Sequence, residues 1–133
     1  MKNSPAQENN LYYTHDHEWV RFQGQVAYAG ICTFKLTGIR QIQEVEFTST
    51  EGMKKGGEVL AILHYESYRI PVHMPVAGEI LGFNEKLSGE NRNIFLQEPE
   101  QNKWVALIVP AIPHQCDGLL SPEQYQIKTR RFI

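Results

Sequence analysis

The sequence predicts an all-β protein, a sandwich or flattened barrel that ends in one short helix. Three observations support this prediction. Several short runs rich in β-branched and aromatic residues are separated by turn residues, residues 41–47 alternate polar and apolar side chains, and residues 121–124 resemble a helix start. With 133 residues and 41% hydrophobic composition, the chain is long enough for one core. We therefore expect a single domain over residues 11–133, preceded by a disordered tail of residues 1–10.

The first part of this domain predicts a β-hairpin followed by a helical turn. Residues 12–22 and 25–31 are β-rich runs that flank the turn pair Gln23-Gly24, so they should pair as neighbouring strands. Residues 33–37 fit one helical turn that ends at Gly38, because glycine readily adopts the left-handed backbone found after a helix.

The remaining elements follow the same kinds of signal. Residues 41–47 predict a strand by their period-two alternation, and residues 48–57, with three glycines and two lysines, predict a loop. Three further strands are expected at residues 58–63, 76–83 and 104–109. Ser121 as a cap, Pro122 at the first helical position and Gln124 closing a capping box predict the terminal helix.

Residues 57–80 are the most informative segment, because they form two extended runs around a polar tip. The second arm, residues 73–80, has the sequence His-Met-Pro-Val-Ala-Gly-Glu-Ile. It resembles the Tyr-Ala-Pro-Val-Ser-Gly-Glu-Ile stretch of the glycine cleavage system H protein, the lipoyl carrier of that pathway.

The resemblance extends from residue 13 to residue 128. Residues 13–19, Tyr-Thr-His-Asp-His-Glu-Trp, match the family's Tyr-Thr-x-x-His-Glu-Trp. Further similar segments follow in the family's order: Ala-Gly-Ile at 29–31, Phe-Asn-Glu-Lys-Leu at 83–87, Pro99 five residues before Trp104, and Leu-Leu at 119–120 ahead of Tyr125. Each motif is weak alone, but their common order and spacing make a chance match improbable. The resemblance implies a lipoyl/biotinyl-type flattened barrel sandwich with a short C-terminal helix and minor helical turns.

The family carries its lipoyl group on a lysine at the hairpin tip, and this chain has no lysine there. Counting back from Pro75 places the attachment position at Ser67, whereas the similarity of Glu66-Ser67-Tyr68-Arg69 to the family's Glu-Ser-x-Lys places it at Arg69. Arginine is a poor nucleophile because its guanidinium stays protonated, and serine would give at best a labile ester. Glu66, Ser67 and Arg69 therefore form a degenerate attachment tip, on which we expect no modification and no cofactor.

The tip has a second physical interpretation. Tyr65, Tyr68 and Arg69 place two aromatic rings and a guanidinium on a small protruding turn, and these residue types are favoured in protein interfaces. The alternative is a solvated turn whose tyrosines cover the barrel rim. The chain also departs from the family at Leu96, Glu100 and Asn102-Lys103, and it carries a short insertion within residues 48–52.

Three functions are consistent with these observations. The first is a non-enzymatic H-protein-like module that has lost lipoylation and binds proteins, with other glycine cleavage or lipoate-handling proteins as the expected partners. The second is a working lipoyl carrier in glycine decarboxylation, modified at the unexpected positions Lys54, Lys55 or Lys86. The third is an interaction domain repurposed outside glycine metabolism.

The charge of the chain and its first ten residues argue against nucleic-acid binding, secretion and membrane anchoring. A net charge of -2 and an isoelectric point near 6.2 give no electrostatic footprint for nucleic acid. Residues 1–10 contain no apolar run, so neither a secretory signal nor a membrane anchor is expected, and the expected location is the cytoplasm. Cys32 and Cys116 form no C-x-x-C pair and are expected to be structural thiols.

Two histidine pairs suggest metal chemistry, although we predict no metal site. His15 and His17 would share one face if they lay on a strand, but no motif supplies the third and fourth ligands of an ion. His64 and His73 could face each other across the hairpin, where surface polarity is the simpler interpretation. No nucleophile elbow or catalytic triad motif is present, so we expect no catalytic residues.

Overall fold

The computed structural model describes residues 10–48, 52–89, 92–113 and 115–130. Within them, the strands are β1 (Leu11–Tyr13), β2 (Glu18–Gln23), β3 (Val26–Ile31), β4 (Glu44–Phe47), β5 (Met53–Lys54), β6 (Val59–Tyr65), β7 (Tyr68–His73), β8 (Gly78–Phe83) and β9 (Trp104–Pro110). The helices are α1 (Arg92–Phe95) and α2 (Pro122–Arg130), and short 3-10 turns cover Thr33–Leu36, Glu85–Leu87 and Glu100–Asn102.

The strands form two antiparallel sheets. The larger sheet has the order β1-β2-β3-β9-β8-β5, and the smaller one has the order β4-β6-β7. Buried side chains from both sheets belong to one continuous apolar core, including Val20, Ile31, Leu63 and Ile108. The all-β class, the two-sheet architecture and the terminal helix are therefore confirmed.

The predicted first hairpin forms, but its first run is not one strand. Residues 12–22 divide into β1 and β2, which pair with each other, and β2 also pairs with β3. The reversal between them is held by Thr14, whose Oγ1 accepts hydrogen bonds from the backbone N–H groups of Asp16 and Glu18, both at 3.2 Å. Polar side chains that bond to nearby backbone in this way favour turns over continuous strands.

The core beside this hairpin requires a glycine. Trp19 is buried and donates from Nε1 to the carbonyl oxygen of Ile31 at 3.2 Å. A Cβ atom at Gly30 would lie 2.2 Å from the Trp19 ring and 2.8 Å from the carbonyl oxygen of Lys103. Only glycine therefore fits where β3 crosses the tryptophan.

Several other boundaries differ from the predictions. The alternating segment forms a strand only over β4, and the segment interpreted as a loop contains the short strand β5, which pairs with β8. The stretch of residues 73–80 is not the second hairpin arm: β7 has that role, and β8 belongs to the other sheet. No sequence pattern predicted α1 or the last two 3-10 turns.

The two helical predictions are confirmed. A 3-10 turn at Thr33–Leu36 is followed by Gly38, which has a φ of 86°. At α2, Ser121 N donates to Gln124 Oε1 at 2.8 Å, and Gln124 N donates to Ser121 Oγ at 3.2 Å. This reciprocal pair is the capping box expected from the sequence.

The predicted tail is described only at its last residue, and the two cysteines form no disulfide. Of the predicted tail, residues 1–9 lie outside the described residues, while the carbonyl oxygen of Asn10 accepts a hydrogen bond from Phe22 N at 2.9 Å. Cys32 is buried, and burial raises the pKa of its thiol to about 12. Cys116 is half-buried, and both cysteines are free thiols. No helix in the described ranges is long and apolar enough to cross a membrane.

Candidate functional site

The hairpin of β6 and β7 ends in a two-residue turn, Glu66-Ser67. Tyr65 is paired with Tyr68 on either side of this turn, and Glu66 has a φ of 54°. Positive φ at the first turn position is a feature of the turns that match the twist of paired strands. Glu66 N also donates to Gln43 Oε1 at 3.0 Å, so the segment preceding β4 braces the turn.

The turn places the three predicted tip residues in different positions. Glu66 and Ser67 are the exposed turn residues, whereas Arg69 lies within β7, opposite His64. The register counted back from Pro75 therefore puts Ser67 at the tip, and the alternative register puts Arg69 along the arm. Residues 56–85 contain no lysine in either register.

Aromatic and charged side chains flank the turn. The Tyr65 and Tyr68 rings lie nearly parallel at 17°, with centroids 6.5 Å apart, and Tyr68 is 64% exposed. Arg69, whose side chain is 61% exposed, places Nη2 3.8 Å from Glu46 Oε1. Exposed ion pairs of this kind contribute little to stability, so Arg69 is available for other contacts.

A groove of about 340 Å³ runs beside the tip. Its lining includes Lys35, Thr37 and Ile39 on one side and Tyr65, Tyr68 and Arg69 on the other. We call this the tip groove. It joins a 3-10 turn and the segment after it to the protruding hairpin.

A second cluster lies at the base of the hairpin, where β7 ends against β2. Glu18 Oε2 accepts hydrogen bonds from Lys35 Nζ at 2.7 Å and from His73 N at 2.9 Å, and it lies 3.0 Å from His73 Nδ1. Asp16 Oδ2 lies 2.8 Å from both Lys35 Nζ and His73 Nδ1. We call these four residues the base cluster.

The Lys35 ammonium decides the chemistry of the base cluster. The oxygen and nitrogen atoms that Asp16, Glu18 and His73 offer lie within 4.8 Å of one another, but Lys35 supplies the cation between the two carboxylates. We therefore describe the cluster as an ion-pair network and assign no metal ligands in it.

The pKa values of the two carboxylates are shifted in opposite directions. Burial raises the pKa of Glu18, which is 2% exposed, and Lys35 and His73 offset that effect only in part. Burial also acts to raise the pKa of Asp16, but the hydrogen bond and charge of Lys35, together with the charges of His73 and His17, outweigh it and lower the pKa below its ordinary value. The difference follows from solvation, since the Asp16 side chain is 58% exposed.

The histidine pairs suggested by the sequence do not form. His15 and His17 lie in the reversal before β2, not on a strand, so the argument that they share one face does not apply. His17 places Nδ1 3.0 Å from the Tyr125 hydroxyl oxygen. In the hairpin, His64 is opposite Arg69 and His73 is opposite Val59, so these two histidines do not face each other. No sequence pattern predicted the contact between His73 and Glu18, which are 55 residues apart.

The residues within 100–103 that differ from the family pattern form hydrogen bonds with nearby parts of the fold. Glu100 Oε2 accepts a hydrogen bond from Thr33 N at 2.8 Å. Lys103 is buried, and its ammonium donates to the carbonyl oxygen of Glu98. Burial lowers the pKa of Lys103. Leu96 is partly buried against the core.

The lysines outside the hairpin lie on other elements. Lys54 is on β5 and Lys55 follows it, while Lys86 lies in the Glu85–Leu87 turn with Nζ 2.6 Å from Glu98 Oε1. None of the three is at a hairpin tip within the described part of the chain.

Comparison with known proteins identifies the family. The family model for glycine cleavage H-protein matches residues 11–132. The chain belongs to the glycine cleavage H-protein family. A glycine cleavage system H protein from Bacteroides thetaiotaomicron is 31% identical over 117 residues, covering 88% of this chain and 92% of that protein. One from Clostridium botulinum strain Okra is 33% identical over 118 residues, covering 89% of each.

A solved structure supports the fold of this H-protein family member. The crystal structure of a glycine cleavage system H protein from Mycobacterium marinum superposes with a TM-score of 0.74, covering 91% of this chain and 97% of that chain. At 17% sequence identity, this similarity shows the shared fold alone. The predicted family is therefore confirmed, whereas the roles of Glu66, Ser67 and Arg69 stay predictions.

The H-protein family is a family of lipoyl carriers, and the tip of this member does not fit that group. Attachment through a stable amide needs a primary amine on a long stem, but the turn residues carry a carboxylate and a hydroxyl. The side chain with the longest cationic stem, Arg69, lies on β7 and is a guanidinium.

Proposed function

We propose that this chain is an H-protein family module that carries no lipoyl group and acts by binding other proteins through its hairpin tip. The observation that supports this most directly is the Glu66-Ser67 turn, which occupies the tip without supplying an amine. The module would occupy a docking surface without acyl or aminomethyl transfer, and it would have no catalytic step of its own.

The construction of the tip supports binding. Tyr68 and Arg69 protrude, and the tip groove beside them offers both apolar and cationic lining. Tyrosine and arginine are enriched among the residues that dominate binding energies in protein interfaces. The brace from Gln43 and the paired strands fix the turn before binding, which reduces the entropy lost on association.

The partners we propose are other glycine cleavage or lipoate-handling proteins from the same host. The support is the family itself, because the relatives named above are glycine cleavage system H proteins over nearly their full lengths. The barrel that presents the tip is retained in this chain, so a surface that recognises the family's barrel could still receive it.

Isothermal titration calorimetry against glycine decarboxylase and lipoate ligase from the same host would test this proposal. We expect the double variant Tyr68→Ala/Arg69→Ala to lose binding that the wild type shows. Met53→Ala is the matched control, because Met53 is as exposed as Tyr68 but lies on β5. If the double variant binds like the wild type, tip docking is wrong; if the wild type binds neither protein, the proposed partners are wrong.

A further inference from the structure

The base cluster and the tip groove share one side chain, Lys35. This residue lies in the Thr33–Leu36 turn, lines the tip groove, and places Nζ 2.8 Å from Asp16 Oδ2 and 2.7 Å from Glu18 Oε2. The lysine therefore reaches from the groove lining to the ion pairs beneath the hairpin.

We propose that Lys35 is a positioning residue whose ion pairs with Glu18 and Asp16 set the width of the tip groove, and that release of Lys35 from Glu18 opens the groove and weakens docking. This inference rests on the proposed function, because the docked protein is the partner that the tip binds. It concerns how the walls of the tip groove are held in place and how the width of the groove is regulated.

Glu18 connects both walls of the tip groove to β2. Through Lys35 it holds the turn that leads to Thr37 and Ile39, which line one wall. Through His73 it holds the end of β7, the strand that carries the opposite wall. One buried carboxylate oxygen thus accepts hydrogen bonds from both sides. Loss of its charge would weaken both connections together.

The difference in exposure between Glu18 and Asp16 determines in which direction Lys35 would move when it is released. Glu18 is buried, while Asp16 is mostly exposed at the surface. When Glu18 is protonated and Asp16 is still charged, the nearest remaining carboxylate for Lys35 is the exposed one. The ammonium would then move outward with Asp16, and the groove wall would lose its buried anchor.

The charged and titratable groups around Glu18 come from several elements. Those with a direct electrostatic effect on Glu18 or Asp16 are Lys35, His73, Cys32 and His17. His15 and Asp117 line the adjoining groove that also contains Asp16, Glu18 and His73. Because burial raises the pKa of Glu18, release begins at a higher pH than for an ordinary glutamate.

The test compares Lys35→Met with Lys35→Arg. Methionine removes the charge but keeps a long apolar stem, whereas arginine keeps the charge. We expect Lys35→Met to weaken binding to glycine decarboxylase roughly tenfold, within the usual range for indirect effects on a binding site, and Lys35→Arg to retain most of it. Lys86→Met is the matched control, since it removes an exposed ion pair with Glu98 on another element.

A readout without any partner separates this inference from the proposed function. In amide NMR spectra of the free protein, Lys35→Met should shift the Thr37 and Ile70 resonances on the two groove walls, and Lys86→Met should not. In the wild type, the Thr37 and His73 amides should titrate with the same midpoint as the Glu18 carboxyl. This titration uses the wild type, so it can be measured even if Lys35→Met fails to fold.

The outcomes are distinguishable. Unchanged Thr37 and Ile70 resonances in folded Lys35→Met, or a Thr37 amide that does not follow Glu18, would overturn the positioning role whatever the partner does. Responsive amides with no partner binding by the wild type would leave the positioning of the groove supported and count against the proposed docking function.

Discussion

The base and the tip of the β6–β7 hairpin differ in how deeply their side chains are buried and in what these side chains contact. At the base, Glu18 is buried and its carboxylate contacts both Lys35 and His73. At the tip, Ser67 is an exposed turn residue and Tyr68 is largely open to solvent. The base therefore connects the hairpin to β2 through hydrogen bonds to a buried carboxylate, whereas the tip residues lie outside the apolar core. Similarity of the scaffold in this family therefore does not establish that the tip carries a lipoyl group.

The largest expected effect is a gain of modification at the tip. Because the structure places residue 67 in the turn, Ser67→Lys would present an amine where the hairpin protrudes. We expect lipoate ligase and lipoate to modify this variant nearly completely, as measured by intact mass. Arg69→Lys is the matched control on β7, and we expect little modification there. Modification of Arg69→Lys alone would show that the register based on Glu-Ser-x-Lys is the correct one.

The second prediction concerns the buried face of the hairpin. Leu63→Ala would remove a fully buried side chain from β6 and leave a cavity, which costs about 2–5 kcal/mol in free energy of unfolding. Its neighbour Ile62 is only partly buried, so Ile62→Ala should cost clearly less. Chemical denaturation of both variants measures the difference. Equal losses would mean that the hairpin does not pack on the core as described.

The third prediction uses the pH dependence of the base cluster. Burial raises the folded-state pKa of Glu18 above its unfolded value, so between these two values the folded protein holds a proton that the unfolded chain has lost. Stability therefore falls as pH rises through that window, by at most about 1.4 kcal/mol per pH unit for one proton. The free energy of unfolding of the wild type relative to Glu18→Gln should decrease over this range. A difference that increases with pH would contradict the burial effect.

The smallest expected change in stability is at the tip. Tyr68→Ala removes an exposed ring, and substitutions at such positions usually change the free energy of unfolding by less than about 0.5 kcal/mol. The same denaturation experiment that measures Leu63→Ala checks this value. A loss as large as that of Leu63→Ala would show that the tyrosine supports the barrel rim, which is the alternative interpretation of the tip.

Local sequence patterns predicted the elements that are held by contacts between residues close in sequence. The capping box of Ser121 and Gln124 and the helical turn before Gly38 form as expected, since each needs only residues close in sequence. The alternation in residues 41–47 located β4, although the strand is shorter than predicted.

Features held by distant contacts could not be predicted in the same way. Strand β5 is two residues long and exists through pairing with β8, so its sequence resembles a loop. The base cluster joins Glu18 to His73 across 55 residues, and no spacing rule connects them. The absence of lysine from residues 56–85 can be seen in the sequence without a structure, and the loss of lipoylation stays a prediction. The sequence left the register open, and the turn at Glu66-Ser67 favours Ser67 as the tip position.

Whether the protein carries a lipoyl group can be measured by intact mass and peptide mapping of the protein isolated from its own host. We expect a mass equal to that of the unmodified chain, with unmodified peptides covering the hairpin and Lys54, Lys55 and Lys86. A lipoyl adduct on any of these lysines would contradict this expectation and would show that the protein is a working carrier.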